Sequence, residues 1–296
     1  MSNDITVLIP TFQRAEYLDF LLESISKQTI EGEIDCLISD ANSKDNTLEI
    51  IKKWDKNKKL SIEVIKNKND ISPIENWKNL IDNSKTKYSK IIFDDDWIEL
   101  NCLEKMKNLL IEKKSAAVIT NFNSFFYDDQ IRQDNYKRNY INMESKYLNT
   151  NDIINYYLLK GKKINVSPSG AIYKTKIMKE AFEFGLDLND KCLNKGIGID
   201  LIMNFYPIFK NKKVYFTSES LVNCRVHDSS ISIKTDNRVL YYCYLKYLIK
   251  LINKFSIQLD NEQNKALKRK LLIYWLRKTI QPKYDIGLDI NRLSKI

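Results

Sequence analysis

Over the first 120 residues, apolar-rich runs of six or seven residues alternate with stretches whose apolar positions recur every three or four residues. Residues 5–10 (ITVLIP), 34–39 (IDCLIS), 60–65 (LSIEVI), 88–93 (YSKIIF) and 116–122 (AAVITNF) read as buried strands. Between them, four apolar sets mark helical faces: Leu18, Leu21, Leu22 and Ile25; Leu48, Ile51 and Trp54; Ile74, Trp77, Leu80 and Ile81; Leu103, Met106, Leu109 and Leu110. Strand–helix alternation with short connections predicts an α/β fold, a mainly parallel, Rossmann-like sheet flanked by helices. Ligands of such sheets bind outside the carboxyl ends of the strands, where Thr11, Asp40 and Asp94–Asp96 fall.

The second half is less regular. Residues 128–150 are polar and read as a loop or insertion, residues 171–184 as a strand feeding a helix, and residues 187–200 (DLNDKCLNKGIGID) as a mobile loop. A helix follows from about Leu201 to Lys210, and residues 213–227 read as one or two strands ending on His227, the only histidine. From Asn237 onward the pattern is helical. The expected division is a catalytic domain over 1–236 and a helical basic segment over 237–296.

Composition narrows the classes. Glycine is scarce, at seven, and neither G-x-G-x-x-G nor a Walker-type phosphate loop occurs. The five cysteines are scattered without C-x-x-C spacing, which predicts free thiols rather than a disulfide framework or a zinc site. The N-terminus lacks a basic leader, and no apolar stretch approaches the roughly 20 residues that cross a bilayer. The expected location is cytoplasmic, or peripheral at the inner face of the membrane. Net charge is +10, and residues 237–296 hold thirteen Lys/Arg against four Asp/Glu. Lys246, Lys250 and Lys254 recur every four residues, with Tyr244, Tyr247, Leu248, Leu251 and Ile252 on the other faces. Such a helix packs its apolar side on the domain and turns its cations to an anionic membrane or glycolipid. No nucleic-acid recognition motif accompanies the basic charge, so nucleic acid is not an expected partner.

The densest chemistry is FDDDWIE, residues 93–99. Adjacent carboxylates repel unless a cation lies between them, and Mg²⁺ or Mn²⁺ binds through one or two carboxylates plus substrate phosphates. On a strand end, alternation puts Asp94 and Asp96 on one face and turns Asp95 elsewhere, toward a ribose or sugar hydroxyl. The competing reading is an acidic turn that caps the helix from about Asn101. Asp200 is either a general base or a helix cap, and Asp187 and Asp190 are acids close to it.

With these pieces in order, the chain resembles the family-2 inverting glycosyltransferases of the GT-A fold over most of residues 5–233. VLIPTFQR (7–14), ISDANSKDNT (38–47), ENWKNLI (75–81), FDDDWIE (93–99), GIGIDLIMNF (196–205) and LVNCRVHDSSIS (221–232) carry the resemblance. It implies a nucleotide site at Thr11, Arg14, Asp40, Asp94 and Asp95, with Asp40 reading the nucleobase. It also implies a Mn²⁺ or Mg²⁺ site at Asp94, Asp96 and His227, a catalytic base at Asp200, and a phosphate contact from Arg225. The implied reaction moves a sugar from a nucleoside-diphosphate donor, UDP first, to a hydroxyl of a glycan or lipid-linked acceptor in surface polysaccharide or lipopolysaccharide assembly. The rivals are a nucleotidyltransferase or metal-dependent phosphohydrolase using the same aspartates, and a non-catalytic glycan- or membrane-binding protein.

Overall fold

The structure is a computed structural model and describes residues 4–128, 133–139, 143–160, 167–228 and 230–280. Its strands are β1 (Ile5–Thr11), β2 (Ile34–Asp40), β3 (Leu60–Lys66), β4 (Tyr88–Ile91), β5 (Trp97–Ile98), β6 (Ala117–Asp128), β7 (Gln133–Asn139), β8 (Lys146–Leu148), β9 (Ala171–Lys174) and β10 (Val214–Val226). Its helices are α1 (Ala15–Ser26), α2 (Thr47–Trp54), α3 (Pro73–Asn83), α4 (Cys102–Glu112), α5 (Thr150–Leu158), α6 (Thr175–Asp187), α7 (Lys191–Asn194), α8 (Ile199–Phe209), α9 (Ile231–Lys234), α10 (Asn237–Lys254) and α11 (Asn261–Ile280).

The strands form one sheet in the order β3-β2-β1-β4-β9-β6-β10-β5, with β7 added on β6 and β8 on β10. The longest ladders, β1/β2, β2/β3 and β6/β10, are parallel. The short β9 is antiparallel to both β4 and β6, so β6 and β10 run in the same sense as β1, β2 and β4. The carboxyl ends of β1, β2, β4 and β10 therefore share one edge, where a ligand is expected. Every residue of β1 is buried, as in a strand covered on both faces. Val7 and Ile9 enter the core packed by α1 and α4, whereas Leu8 enters the opposite core with α3, α6, α8 and α10.

Three expectations change. Residues 128–150, expected as loop, contribute β7 and β8, which pair antiparallel with β6 and β10; backbone pairing orders a sequence that lacks apolar alternation. Residues 187–200 are not an open loop, because Asp190 caps α7 through its carboxylate. The third concerns the cations of α10, whose apolar side packs on the domain as expected. Leu240, Leu245, Leu248, Leu251 and Ile252 of α10 are buried in one cluster with α5, α8 and α11. Lys246 is buried there too and pairs with Asp190, so it is not a membrane-facing cation; Lys250 and Lys254 are exposed. No helix among the described residues is long and apolar enough to cross a membrane.

Candidate active site

The aspartates do not lie on a strand. β4 ends at Ile91, and the chain turns back with Asp96 N–H donating to Phe93 O at 3.1 Å. Side-chain alternation, the basis for pairing Asp94 with Asp96, does not operate in a turn. Asp94 instead accepts from Phe12 N (3.4 Å) and Arg14 Nη1 (3.4 Å). Asp95 Oδ2 accepts from the same Arg14 Nη1 and lies 2.9 Å from His227 Nε2. Asp96 faces β10, accepting from Arg225 N (3.2 Å) and Cys224 Sγ (3.7 Å). Arg14 thus bridges Asp94 and Asp95, and β10 holds Asp96.

All three carboxylates are buried, and their surroundings separate them. Burial pushes Asp94 up from the ordinary carboxylate range; Arg14 opposes this and the Asp95 charge adds to it. Burial, then the Asp95 charge, pushes Asp96 well up. Burial acts on Asp95 in the same direction, but the His227 hydrogen bond and Arg14 outweigh it and hold that carboxyl down.

Arg225 is a structural brace rather than a surface arginine. Its guanidinium lies 4.8 Å from the Tyr17 ring, 5.4 Å from Phe20 and 4.9 Å from Trp97, and Nη1 donates to the Asp95 carbonyl at 3.1 Å. An aromatic box of this kind favours the flat guanidinium over an ammonium. Arg225 therefore holds the aspartate turn by its backbone. His227, buried just beyond β10, sits on Asp95 rather than with Asp94 and Asp96.

Among the described residues, no group of three or more His, Cys, Asp or Glu side chains is placed to hold a metal ion. The three-ligand set Asp94, Asp96 and His227 is therefore not gathered. Mg²⁺ and Mn²⁺ do not require a closed protein cage, because phosphates and water complete their shells. Asp94 and Asp96 are hard oxygen donors whose ionised forms burial disfavours, so their chemistry fits a divalent cation.

Thr11 ends β1 and lines the same cavity, its carbonyl accepting from Ala41 N (3.0 Å) and Asn76 Nδ2 (3.3 Å). Asp40, at the end of β2, is buried and folded onto Ser43, accepting from its backbone N (3.2 Å) and hydroxyl (2.5 Å). It is not among the cavity-lining residues; Ala41, Ile71, Asn76 and Trp77 are.

The cavity, of about 1090 Å³, is also lined by Asp200, Tyr157 and Tyr244. Its volume suits a ligand larger than one sugar. Asp200 is the second residue of α8, and the N-cap is Gly198, so Asp200 is not the cap. Gly198 takes φ +89°, and a Cβ there would meet the Tyr247 ring at 2.3 Å, so glycine alone lets the chain lie flat on α10 as it enters α8. Tyr244 donates to Asp200 Oδ2 at 2.5 Å. Burial, followed by the Asp200 charge, pushes the Tyr244, Tyr157 and Tyr173 hydroxyls up, so all three stay protonated beside the carboxylate. Asp187 ends α6, while Asp190 accepts from Tyr247 (2.6 Å), Lys246 and Cys192 N (2.9 Å); neither lines the cavity.

Tyr244 is the main site residue that the sequence pattern missed. Its helix read as an appended tail, and the one available signal was four tyrosines crowded into residues 241–247.

The family model for glycosyl transferase family 2 matches residues 6–182, more than half of the chain. Glycosyltransferase GlyA of Streptococcus pneumoniae is 23% identical over 242 residues, 78% of this chain, which spans about a third (32%) of GlyA. Abequosyltransferase RfbV of Salmonella typhimurium is 23% identical over 266 residues, 90% of this chain and 78% of RfbV. S. aureus TarS 1–349, solved with UDP, superposes with a TM-score of 0.65 at 16% identity, covering 100% of this chain and 78% of that one. The mannosyltransferase PcManGT of Pyrobaculum calidifontis, solved with GDP-Man and Mn²⁺, gives a TM-score of 0.53 at 12% identity, covering 94% and 76%. The architecture is that of the GT-A glycosyltransferases, and the chain belongs to glycosyl transferase family 2.

Proposed function

We propose that the protein transfers a sugar from a nucleoside diphosphate, UDP in the first instance, to a hydroxyl of a glycan or lipid-linked acceptor in surface-glycan synthesis, with inversion at the anomeric carbon. One observation carries this reading: Arg14 and Asp94–Asp96 at the carboxyl edge of the sheet line the same cavity as Asp200. Arg14 and Thr11 border the donor's phosphates, and Asp94 and Asp96 would hold a Mn²⁺ or Mg²⁺ ion. When bound, that ion neutralises charge on the departing diphosphate. Asp95, paired with Arg14 and hydrogen-bonded with His227, fixes the geometry of the turn. Asp200 accepts the proton of the attacking hydroxyl, which needs no covalent nucleophile for a single displacement. The uridine-binding TarS complexes support the donor class, and RfbV and GlyA support sugar transfer. A nucleobase that reaches Asp40 has to displace Ser43.

The test is thermal stabilisation with a panel of nucleoside diphosphates and nucleotide sugars, with and without Mn²⁺. Stabilisation by one diphosphate only with metal is the expected result. No shift with any donor overturns the reading.

Membrane contact is a finer part of the same proposal, and α11 is the element for it. Lys265, Lys268, Arg269, Leu272, Trp275 and Leu276 are among its exposed residues, at three- and four-residue spacing.

A further inference from the structure

Cys192 and Cys243 stand 51 residues apart, on α7 and α10, yet their sulfurs are 3.0 Å from each other. Both are free thiols. Closing a disulfide requires the sulfurs to approach to about 2.05 Å, a movement of about one ångström. The surroundings give the two thiols different parts. Cys243 is fully buried, whereas Cys192 is partly exposed and open to a reagent. Cys243 Sγ donates to Cys192 Sγ, and Lys246 lies beside the pair. That hydrogen bond, with help from Lys246 and against burial and Asp190, lowers the Cys192 thiol to about 7, whereas the Cys243 thiol is raised. Cys192 is therefore the attacking sulfur and Cys243 the resolving one.

We propose that Cys192 and Cys243 form a thiol–disulfide exchange site that reacts with low-molecular-weight disulfides and latches the Asp190–Gly198 segment onto α10. The Cys192 thiolate attacks one sulfur of the disulfide, R–S–S–R; that bond breaks and the first RS⁻ leaves. Cys243 then gives up its proton to solvent, and its sulfur attacks Cys192 Sγ, expelling the second RS⁻. Two cysteine thiols are oxidised, one disulfide is reduced to two thiols, and no other electron acceptor enters. The latch closes next to the site, because Tyr244, the partner of Asp200, follows Cys243 directly. The chemistry is independent of what the enzyme transfers.

The full chain is incubated with oxidised glutathione, remaining thiols are alkylated, and unreduced peptides are mapped by mass spectrometry. The expected product is lighter by two hydrogens, links the Cys192 and Cys243 peptides, and returns to the starting mass with dithiothreitol. Cys192→Ser abolishes the link and all glutathione uptake at this site, and Cys243→Ala leaves a stable glutathione adduct on Cys192. The oxidised wild type melts several degrees higher, since cross-linking restricts the unfolded chain. It is also cut more slowly by trypsin after Lys191 and Lys195, both exposed. A glutathione adduct that persists on wild-type Cys192, links through Cys36, Cys102 or Cys224 in comparable yield, or no reaction overturns the proposal.

Discussion

Two acidic centres line one cavity, and their surroundings differ. Asp94–Asp96 sit among cations and backbone donors: Arg14 bridges two of them, His227 touches Asp95, and Arg225 N–H holds Asp96. Asp200 sits among tyrosines, with Tyr244 donating to it and Tyr157 and Tyr173 near enough to feel its charge. Within the cluster, the His227 hydrogen bond and Arg14 hold the Asp95 carboxyl down, whereas burial pushes Asp94 and Asp96 up. Asp200 accepts from a neutral hydroxyl instead, a hydrogen bond that favours its charged form. Separate environments for acids of the same type fit the proposed division of binding from proton transfer.

Substitutions break this division in a graded order. Asp96→Ala has the largest expected effect, since it removes a donor for the cation: metal-dependent binding of a nucleoside diphosphate falls below detection in titration calorimetry. Unchanged affinity would reduce the cluster to an acidic turn. Asp200→Asn comes next, losing transfer by about 10²–10⁴-fold while donor affinity stays within a few-fold, because a missing general base affects the chemical step. A fully active Asn variant would move the base elsewhere.

Tyr244→Phe sharpens the comparison from the neutral side. A hydrogen bond donated to a carboxylate favours its charged form, so removing the hydroxyl raises the proton affinity of Asp200. The acidic limb of the rate profile should then shift to higher pH, with kcat reduced about tenfold and the donor KM unchanged. An unshifted limb would mean that Tyr244 only fills space. Lys246→Met acts through stability alone. It leaves the partly buried Asp190 without its cation and should cost about 1–2 kcal/mol in denaturant unfolding. Burial works to raise the Asp190 carboxyl, but hydrogen bonds from Lys246 and Tyr247 hold it below the usual range. The pair's contribution is therefore present above the unfolded carboxylate pKa of about 4 and disappears as pH falls through the lower folded value. Asp190→Asn should flatten that acid limb. The smallest effect belongs to Leu272→Ser with Trp275→Ser, which should weaken flotation with anionic vesicles and leave activity in solution unchanged; equal binding to neutral vesicles would argue against an electrostatic contribution.

The sequence was most legible where local pattern and burial coincide. β1 and β2 follow the apolar runs closely, because strands covered on both faces favour apolar residues throughout, whereas β3, with only Leu60 buried, alternates apolar with polar positions. FDDDW was recognisable as a chemical cluster, but not its geometry: β4 stops two residues before Phe93, and a turn replaces alternation. The partners of those aspartates come from Arg14, Cys224, Arg225 and His227, contacts across 80 residues or more that no local period encodes. The C-terminal helix misled for a related reason. Lys246 in a basic, aromatic heptad-like run looks solvated until its partner Asp190, 56 residues earlier, is known.

The placement of Tyr244 sets an order for biosynthesis. The ribosome delivers the chain from its N-terminus, so the strands, Arg14, the aspartates and Asp200 all emerge before α10 does. Until α10 docks, the buried face of α8 lacks its cover and Asp200 its hydroxyl donor. On the proposed function, the nascent protein holds a nearly complete donor edge while the side assigned to proton transfer is unfinished. Competence for transfer would then arrive late, with a helix lying wholly beyond the segment matched by the family model.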